Sequence, residues 1–141
     1  MNVAVCFNLV PPSATCGEEI DRIAEEGSEQ EARAVAAALT ELGHKPELVP
    51  LGADITFFAA ELRRLQPDLV FNIAEGLHGA SREAQIPAML DMLGIPYTGS
   101  DPLTLSLCLD KRRTKEILSH HGIATPSFSV VNSLAEIPAR L

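Results

Sequence analysis

The stretch Met89–Lys115, which reads MLDMLGIPYTGSDPLTLSLCLDKRRTK, organises the rest of the chain. Gly94 is predicted to end one helix, and Asp101-Pro102 places a good N-cap residue before a proline suited to the first helical position. The leucines of the segment 103–109 point to too many sides for a surface helix, so we expect this helix to be buried. A further helix is expected from Thr114 to His121.

Three short apolar runs precede this stretch, and we interpret them as buried strands. They are Asn2–Phe7, Lys45–Leu51 and Leu69–Ile73. Residues at helical spacing lie between them, and a helix is expected after the third run, from near Ala84. This βαβαβα order predicts an α/β fold with a parallel sheet that helices cover on both faces.

A parallel sheet of this kind binds its ligands beyond the carboxyl ends of its strands. Three loops are expected there, namely Val10–Gly27, Leu51–Asp54 and Ala74–Arg82. The first and third are long, which in a compact domain favours a functional role. The glycine fingerprint of dinucleotide-binding sites does not follow the first strand, so we do not expect a dinucleotide site of that type.

Composition narrows the class of protein. The 141 residues are 46% hydrophobic, which fits one globular domain. A net charge of -8 disfavours a nucleic-acid partner, and no apolar run approaches the length of a membrane span. The three cysteines lack metal-site spacing and favour reduced thiols in a cytoplasmic protein. Cys6 and Cys108 are expected to be small core residues.

A basic cluster follows the leucine-rich segment. It contains Lys111, Arg112, Arg113 and Lys115, four of the 11 lysines and arginines of the chain. In an acidic chain such a cluster suits an anionic ligand such as a nucleotide phosphate. From the residue types alone, a solvated basic face is the commoner explanation of such a cluster, and both readings stay open.

Three motifs, in matching order and spacing, resemble the N-terminal domain of the D-alanine–D-alanine ligases of the ATP-grasp superfamily. They are LGIPYTGS (Leu93–Ser100), Asp110-Lys111 followed by Thr114-Lys115, and the turn GIATP (Gly122–Pro126). The resemblance covers most of the chain from Asp68 onward, and the first strand and helix more loosely.

The resemblance implies a Rossmann-like domain of a three-domain cytoplasmic enzyme that joins two D-alanines at the expense of ATP, for peptidoglycan synthesis. The reaction passes through an acyl phosphate, with Mg²⁺ bridging the phosphates. Residues 1–122 would form the substrate-binding domain, and residues 123–141 would begin the central ATP-grasp domain and end before completing it. We therefore expect a truncated fragment that is inactive alone, binds no cofactor by itself and provides no metal ligands.

The resemblance also suggests site residues. Lys111 falls on the lysine that reaches toward the nucleotide, and a compact charge on a flexible stem suits that role. His78, in the run Leu77-His78-Gly79, corresponds to a histidine that lines the substrate site, with Glu83 as the acid further on. Glu75 is a second candidate lining residue. An ordinary loop histidine remains the alternative for His78.

In the first loop, the family carries an acid that holds the ammonium group of the first D-alanine. Glu25 and Glu26 are the candidates here, although acids at this position could equally interact with a helix dipole. The family's glycine-rich turn is missing from this loop. A ligase for other amino acids is therefore an alternative function.

A non-catalytic ligand-binding or interaction module is another alternative, because the chain stops at Leu141. The expected partners are D-alanine or a similar small amino acid, ATP and a second copy of the chain. The resemblance implies such a homodimer, and the leucine-rich segment 103–109 offers it an apolar surface.

Overall fold

The computed structural model describes residues 1–9 and 27–137. The strands are β1 (Asn2–Asn8), β2 (Lys45–Leu51) and β3 (Leu69–Asn72). The helices are α1 (Ser28–Glu41), α2 (Ile55–Leu65), α3 (Gln85–Leu93), α4 (Pro102–Leu109) and α5 (Lys111–His120). Short 3-10 turns occupy Arg82–Ala84 and Leu134–Glu136. None of the described helices combines the length and the apolar character needed to cross a bilayer.

The three strands form one parallel sheet in the order β2-β1-β3. Val5, at the middle of the central strand, lies opposite Leu48 on one side and Phe71 on the other. Each crossover between these parallel strands contains a helix, as parallel pairing requires. The predicted α/β fold with a parallel sheet is confirmed, and the three predicted strands begin and end within one or two residues of the observed ones.

Helices cover both faces of the sheet because side chains of β1 alternate between them. Val5 and Phe7 pack on the α1 side, against Ala32. Ala4 and Cys6 face the opposite side. There the buried cluster is completed by residues of β2, β3, α2 and α3, including Val49, Val70, Phe58, Leu62, Ile86 and Leu90. The predicted burial of Cys6 is confirmed, with none of its surface exposed.

Both edges of the sheet offer few free hydrogen-bond donors. The N–H of Lys45 donates to the carbonyl of Met1 at 2.9 Å, so the main-chain N–H groups of the odd-numbered residues of β2 point toward β1. Pro46 and Pro50 therefore lie on the outward side, where a missing N–H is tolerated. On the other edge, residues 96–98 run beside Val70, which donates to the carbonyl of residue 96 at 2.8 Å and accepts from the N–H of residue 98 at 2.9 Å.

The predicted burial of the leucine-rich helix α4 is wrong. None of its residues is buried, Leu103 is 68% exposed, and Cys108 is exposed rather than part of the core. The leucines lie two residues apart, so they spread around the helix. Among the described elements α4 packs against α3, α5 and the turn Arg82–Ala84, which cannot cover all sides of it.

Asp101 caps α4 as predicted, and Asp110 caps α5. Asp101 accepts hydrogen bonds from the N–H groups of Leu103 and Thr104 at 2.9 and 3.0 Å. The hydrogen bond from the Thr104 hydroxyl, and then these two N–H groups, lower the pKa of Asp101. Asp110 ends α4 and caps α5 by accepting from the N–H of Arg113 at 3.0 Å. Because Asp110 is this cap, α5 begins at Lys111 and not at Thr114 as expected.

Candidate functional site

The loop that follows β3 contains most of the candidate substrate residues. We define the β3 loop as residues 73–81, between β3 and the turn Arg82–Ala84. The loop leaves the sheet at the carboxyl edge, next to the end of β1. The N–H of residue 73 still donates a hydrogen bond to the carbonyl of Cys6 in β1 at 2.9 Å. Glu75 and His78 are both exposed on this loop, at the edge where parallel sheets bind ligands.

Asn8, the last residue of β1, holds the first part of the β3 loop. Its Oδ1 accepts a hydrogen bond from the N–H of Glu75 at 2.7 Å, and its Nδ2 donates to the carbonyl of Gly76 at 2.8 Å. A carboxamide supplies one acceptor and two donors, so one side chain can bind both groups. The side chain of Asn8 thus continues the pairing between β1 and the β3 loop past the last main-chain hydrogen bond, which residue 73 makes.

Gln85, the first residue of α3, holds the second part in the same way. Its Oε1 accepts from the N–H of Leu77 at 3.0 Å, and its Nε2 donates to the carbonyl of His78 at 2.7 Å. Each of the four consecutive residues 75–78 therefore has one main-chain group bound by a side-chain amide.

Gly76 is required by the path of this loop. Its φ is +81°, and a Cβ atom placed on it would lie 2.1 Å from the main-chain oxygen of Arg82. No real Cβ tolerates such a contact, and only glycine adopts this φ without strain. The loop can return this closely to the turn Arg82–Ala84 only because residue 76 lacks a side chain.

The side chains presented by the loop are polar and accessible. The carboxylate of Glu75 lies 3.2 Å from the guanidinium of Arg82, in an ion pair open to solvent. The His78 side chain is exposed, and Glu83 is half-buried on the following turn. An imidazole and a carboxylate on one ordered loop can hydrogen-bond a small polar ligand and attract an ammonium group.

Lys111 stands at the start of α5 with its side chain exposed. Its Nζ donates to the carbonyl of Cys108 at 2.6 Å. Two other members of the basic cluster pair with carboxylates, Arg113 with Asp110 at 3.2 Å and Arg112 with an acid one turn on at 3.8 Å. The reading of a solvated basic face therefore describes these two arginines better than it describes Lys111.

Within residues 1–9 and 27–137, no hydrogen bond or ion pair joins Lys111 to the β3 loop. The two regions are connected through α4, which packs against the turn Arg82–Ala84 and ends just before Lys111. The candidates in the first loop, Glu25 and Glu26, lie outside the described residues. No group of three or more histidines, cysteines or acids in the described ranges could hold a metal ion.

A cleft of about 470 Å³ lies elsewhere, among residues 62–67 and 92–96. These segments end α2 and α3 and precede β3 and its neighbour Tyr97, so the cleft is at the amino edge of the sheet. Arg63 is its one charged lining residue. The cleft therefore contains none of the sequence-predicted site residues and is separate from the β3 loop.

Sequence reasoning missed Asn8 and Gln85. A polar residue that ends the otherwise apolar run of β1, at the edge where ligands bind, was a usable signal for Asn8. Nothing in the sequence distinguished Gln85 from any polar residue at a helix start, because its role depends on how the loop folds back over α3. Both roles became visible only from the hydrogen bonds.

No model of a protein family matches the chain. Among curated proteins, the D-alanine–D-alanine ligase of Moorella thermoacetica is 40% identical over 95 residues, covering 67% of this chain and 29% of that protein. The ligase of Rickettsia felis is 32% identical over 124 residues, or 88% of this chain and 35% of that protein. An uncharacterized protein, y4sG of Sinorhizobium fredii, is 40% identical over 107 residues, or 71% of this chain and 31% of its own. The chain thus spans about a third of the length of these relatives.

Solved structures of D-alanine–D-alanine ligases share the fold of this chain. The D-alanine–D-alanine ligase of Bacillus anthracis superposes with a TM-score of 0.64 over 90% of this chain and 37% of that one, at 23% identity. A structure of the ligase from the same organism complexed with ATP gives 0.67 over 99% and 43%, again at 23% identity. By sequence and by fold, the chain is related over most of its length to the N-terminal domain of the D-alanine–D-alanine ligases.

Proposed function

We propose that the chain is the amino-acid-binding N-terminal domain of a cytoplasmic, ATP-dependent ligase that joins two D-alanines through an acyl phosphate for peptidoglycan precursors. The identity of 40% to the ligase of Moorella thermoacetica, over two thirds of this chain, is the observation that carries the proposal. In this proposal residues 1–122 form the domain, and residues 123–141 begin the central ATP-grasp domain of the full-length protein.

The β3 loop is proposed to line the amino-acid site. His78 would hydrogen-bond the substrate where a tetrahedral centre develops, and Glu75 or Glu83 would orient an ammonium group by a charge-assisted hydrogen bond. The position of the loop at the carboxyl edge of the sheet and the exposure of His78 and Glu75 support these roles. Glu25 or Glu26 would hold the ammonium group of the first amino acid.

Lys111 is proposed to contact the phosphates of ATP, which would supply the phosphoryl group that activates the first carboxylate. Its exposed ammonium has no carboxylate partner in the part of the chain that the structure describes, which fits an anionic ligand. The same part contains no group of side chains able to hold a metal ion, so it does not fit Mg²⁺. The proposal therefore gives these residues no metal-dependent step.

One observation favours a second candidate, a ligase for amino acids other than D-alanine. The D-alanine ligases carry glycines beside the loop acid, whereas Arg82 and Ala84 flank Glu83 here. Arg82 also lies 3.2 Å from Glu75, so an additional cation stands beside the proposed substrate residues. A cation there would favour a substrate with a further anionic or polar group.

Phosphate release by the full-length protein, measured with ATP, Mg²⁺ and a panel of amino acids, tests both candidates. Release stimulated most by D-alanine, with dipeptide as the product, is the expected result. Preference for another amino acid would support the second candidate, and no amino-acid-dependent release would contradict both. His78→Ala should lower activity, whereas His44→Ala, before β2 at the opposite edge, is the matched control. Residues 1–141 alone should form no dipeptide.

A homodimer through α4 is part of the proposal. The resemblance to the ligase family motivates this part of the proposal, and Leu103, which is 68% exposed on α4, is the side chain that tests it. Sedimentation of the unsubstituted protein should show a dimer that Leu103→Glu dissociates. A monomer at high concentration would contradict this part of the proposal alone.

A further inference from the structure

We propose that Asn8 and Gln85 are positioning residues for the β3 loop, and that their two carboxamides fix the main chain so that Glu75 and His78 face the amino-acid substrate. This inference rests on the proposed function, in which that loop lines the substrate site. Neither amide is given a contact with the substrate. Both act through the main chain of residues 75–78.

Two side chains are the main source of order in the run 75–78. Within the described residues, no hydrogen bond between main-chain groups involves residues 74–78. The N–H groups of Glu75 and Leu77 and the carbonyls of Gly76 and His78 are bound instead by the two amides. These four bonds hold the main chain of the run in one path, against the paths in which the same groups would bind water.

The chemistry of the two side chains suits this role. Each side chain uses an oxygen to accept and a nitrogen to donate, and only asparagine and glutamine carry a carbonyl oxygen and an NH2 group on the same carbon atom. A carboxylate of the same shape keeps the acceptor, but it places a charged oxygen against the carbonyl of Gly76 or His78, which are now 2.8 and 2.7 Å from the donating nitrogens. Replacing an amide by the matching acid therefore breaks one bond and introduces repulsion without changing the volume.

Both amides are attached to regular elements that are anchored in the core. Asn8 is half-buried, ends the central strand and follows Phe7, which is 3% exposed. Gln85 is itself exposed, but it begins α3 and precedes Ile86, which is 1% exposed. Regular elements anchored in this way hold the groups that they carry more precisely than a loop does. The loop is clamped from the sheet on one side and from a helix on the other.

The kinetic test uses the full-length protein and the variants Asn8→Asp, Gln85→Glu and the uncharged Gln85→Met. Because each variant loses at least one of the hydrogen bonds that hold the loop, we expect the KM for the amino acid to rise about tenfold. The KM for ATP should stay within about twofold, since no hydrogen bond in the described residues joins either amide to Lys111. Gln30→Glu, on the exposed side of α1, adds the same charge and should change neither constant.

Amide hydrogen exchange tests the clamp independently of activity. Exchange at Leu77 should accelerate about tenfold or more in Gln85→Met, and exchange at Glu75 likewise in Asn8→Leu, because both replacements remove the accepting oxygen, while Val5 in the central strand stays protected. Unchanged exchange in the loop would overturn the inference. Faster exchange throughout β1, or equal increases in both KM values, would also overturn it, because the amides would then only stabilise the domain.

Failure of the proposed function has a different signature. The unsubstituted full-length protein would show no amino-acid-dependent release of phosphate, whatever the state of the loop. Accelerated loop exchange in the two amide variants would still support the clamp in that case. Unchanged exchange, with full ligase activity in the unsubstituted protein, would overturn the clamp alone.

Discussion

At the scale of single residues, Gly76 and Gly43 separate two effects that usually occur together. Both have a φ of +81°, which strains any side chain, but a Cβ on Gly43 meets nothing within 4 Å. A Cβ on Gly76 would meet the main-chain oxygen of Arg82 at 2.1 Å. The pair thus distinguishes conformational strain from a steric clash within one chain.

We expect Gly43→Ala to lower the free energy of unfolding by about 1–2 kcal/mol, the cost of a left-handed backbone. Gly76→Ala should lower it by more, because the loop must also move away from Arg82. Urea unfolding followed by circular dichroism measures both values. Equal losses in the two variants would show that the loop accommodates the added methyl group.

Cys6 shows how burial alters an ionisable residue. Desolvation in the core raises the pKa of its thiol from 9.0 to about 12. Below pH 9 the thiol is protonated in both the folded and the unfolded state, so it adds no pH dependence there. Between pH 9 and 12 the unfolded state loses the proton and the folded state keeps it. Stability contributed by the protonated thiol is therefore lost as the pH rises.

Above pH 9 we expect the free energy of unfolding to fall with a slope of up to about 1.4 kcal/mol per pH unit from this residue. Cys6→Val removes the ionisable group while keeping an apolar side chain, so its pH profile should be flatter over this range. Urea titrations between pH 8 and 11 compare the two proteins. Parallel profiles would contradict the raised pKa.

At the scale of elements, local signals predicted helix starts better than helix burial. Asp101 caps α4 as expected, because a cap depends on residues two and three positions away, and Asp54 caps α2 in the same way. The burial of α4 depends on which elements surround it, which no spacing of leucines reveals. The same limit explains why Cys108 was wrongly placed in the core.

Main-chain hydrogen bonds join residues 121–123 to the end of α5, and beyond them the side chain of Lys115 binds the chain that follows. The Nζ of Lys115 donates to the carbonyl of Pro126 at 2.9 Å and to the hydroxyl of Thr125 at 3.3 Å. It also lies 5.4 Å from the centre of the Phe128 ring, a cation–π distance. Residues 124–128 have no strand partner in the described structure, so Lys115 is their main attachment to α5.

Lys115→Met keeps the aliphatic stem but removes these polar contacts. We expect chymotrypsin to cleave after Phe128 faster in this variant, with little change in the melting temperature, because the core is untouched. Arg112→Met, which removes an exposed ion pair of 3.8 Å on the same helix, is the control and should leave the cleavage rate unchanged. Equal cleavage in both variants would contradict the role of Lys115.

At the scale of the whole molecule, the sequence predicted the order of strands and helices and the two-sided cover of the sheet. Runs such as Asn2–Phe7 are apolar on both faces, which only a doubly covered strand requires. It predicted the position of His78 and Glu75 because loops after parallel strands share one edge. It could not predict the roles of Asn8 and Gln85. The partners of Asn8 lie 67 or more residues away along the chain, and both amides bind main-chain groups rather than side chains.

The outward prolines of β2 lead to a prediction for the assembled sheet. Pro46→Thr/Pro50→Thr would restore two N–H donors on the open edge, with residues that favour strands. We expect the double variant to stay folded but to form larger species as its concentration rises, as measured by light scattering. Thr40→Val, on an exposed position of α1, tests for a general effect of surface substitution. Scattering equal to that of the unsubstituted protein would contradict the prediction.

The two edges of this sheet determine how readily the protein associates with other molecules in a crowded solution. A strand from another molecule needs a ladder of donors and acceptors to dock, and β2 offers it the N–H of Leu48 between two prolines. The opposite edge, at β3, is already hydrogen-bonded to residues 96–98. Growth of the sheet into fibrils is thus hindered at both edges of the three strands that the structure describes, without closure into a barrel.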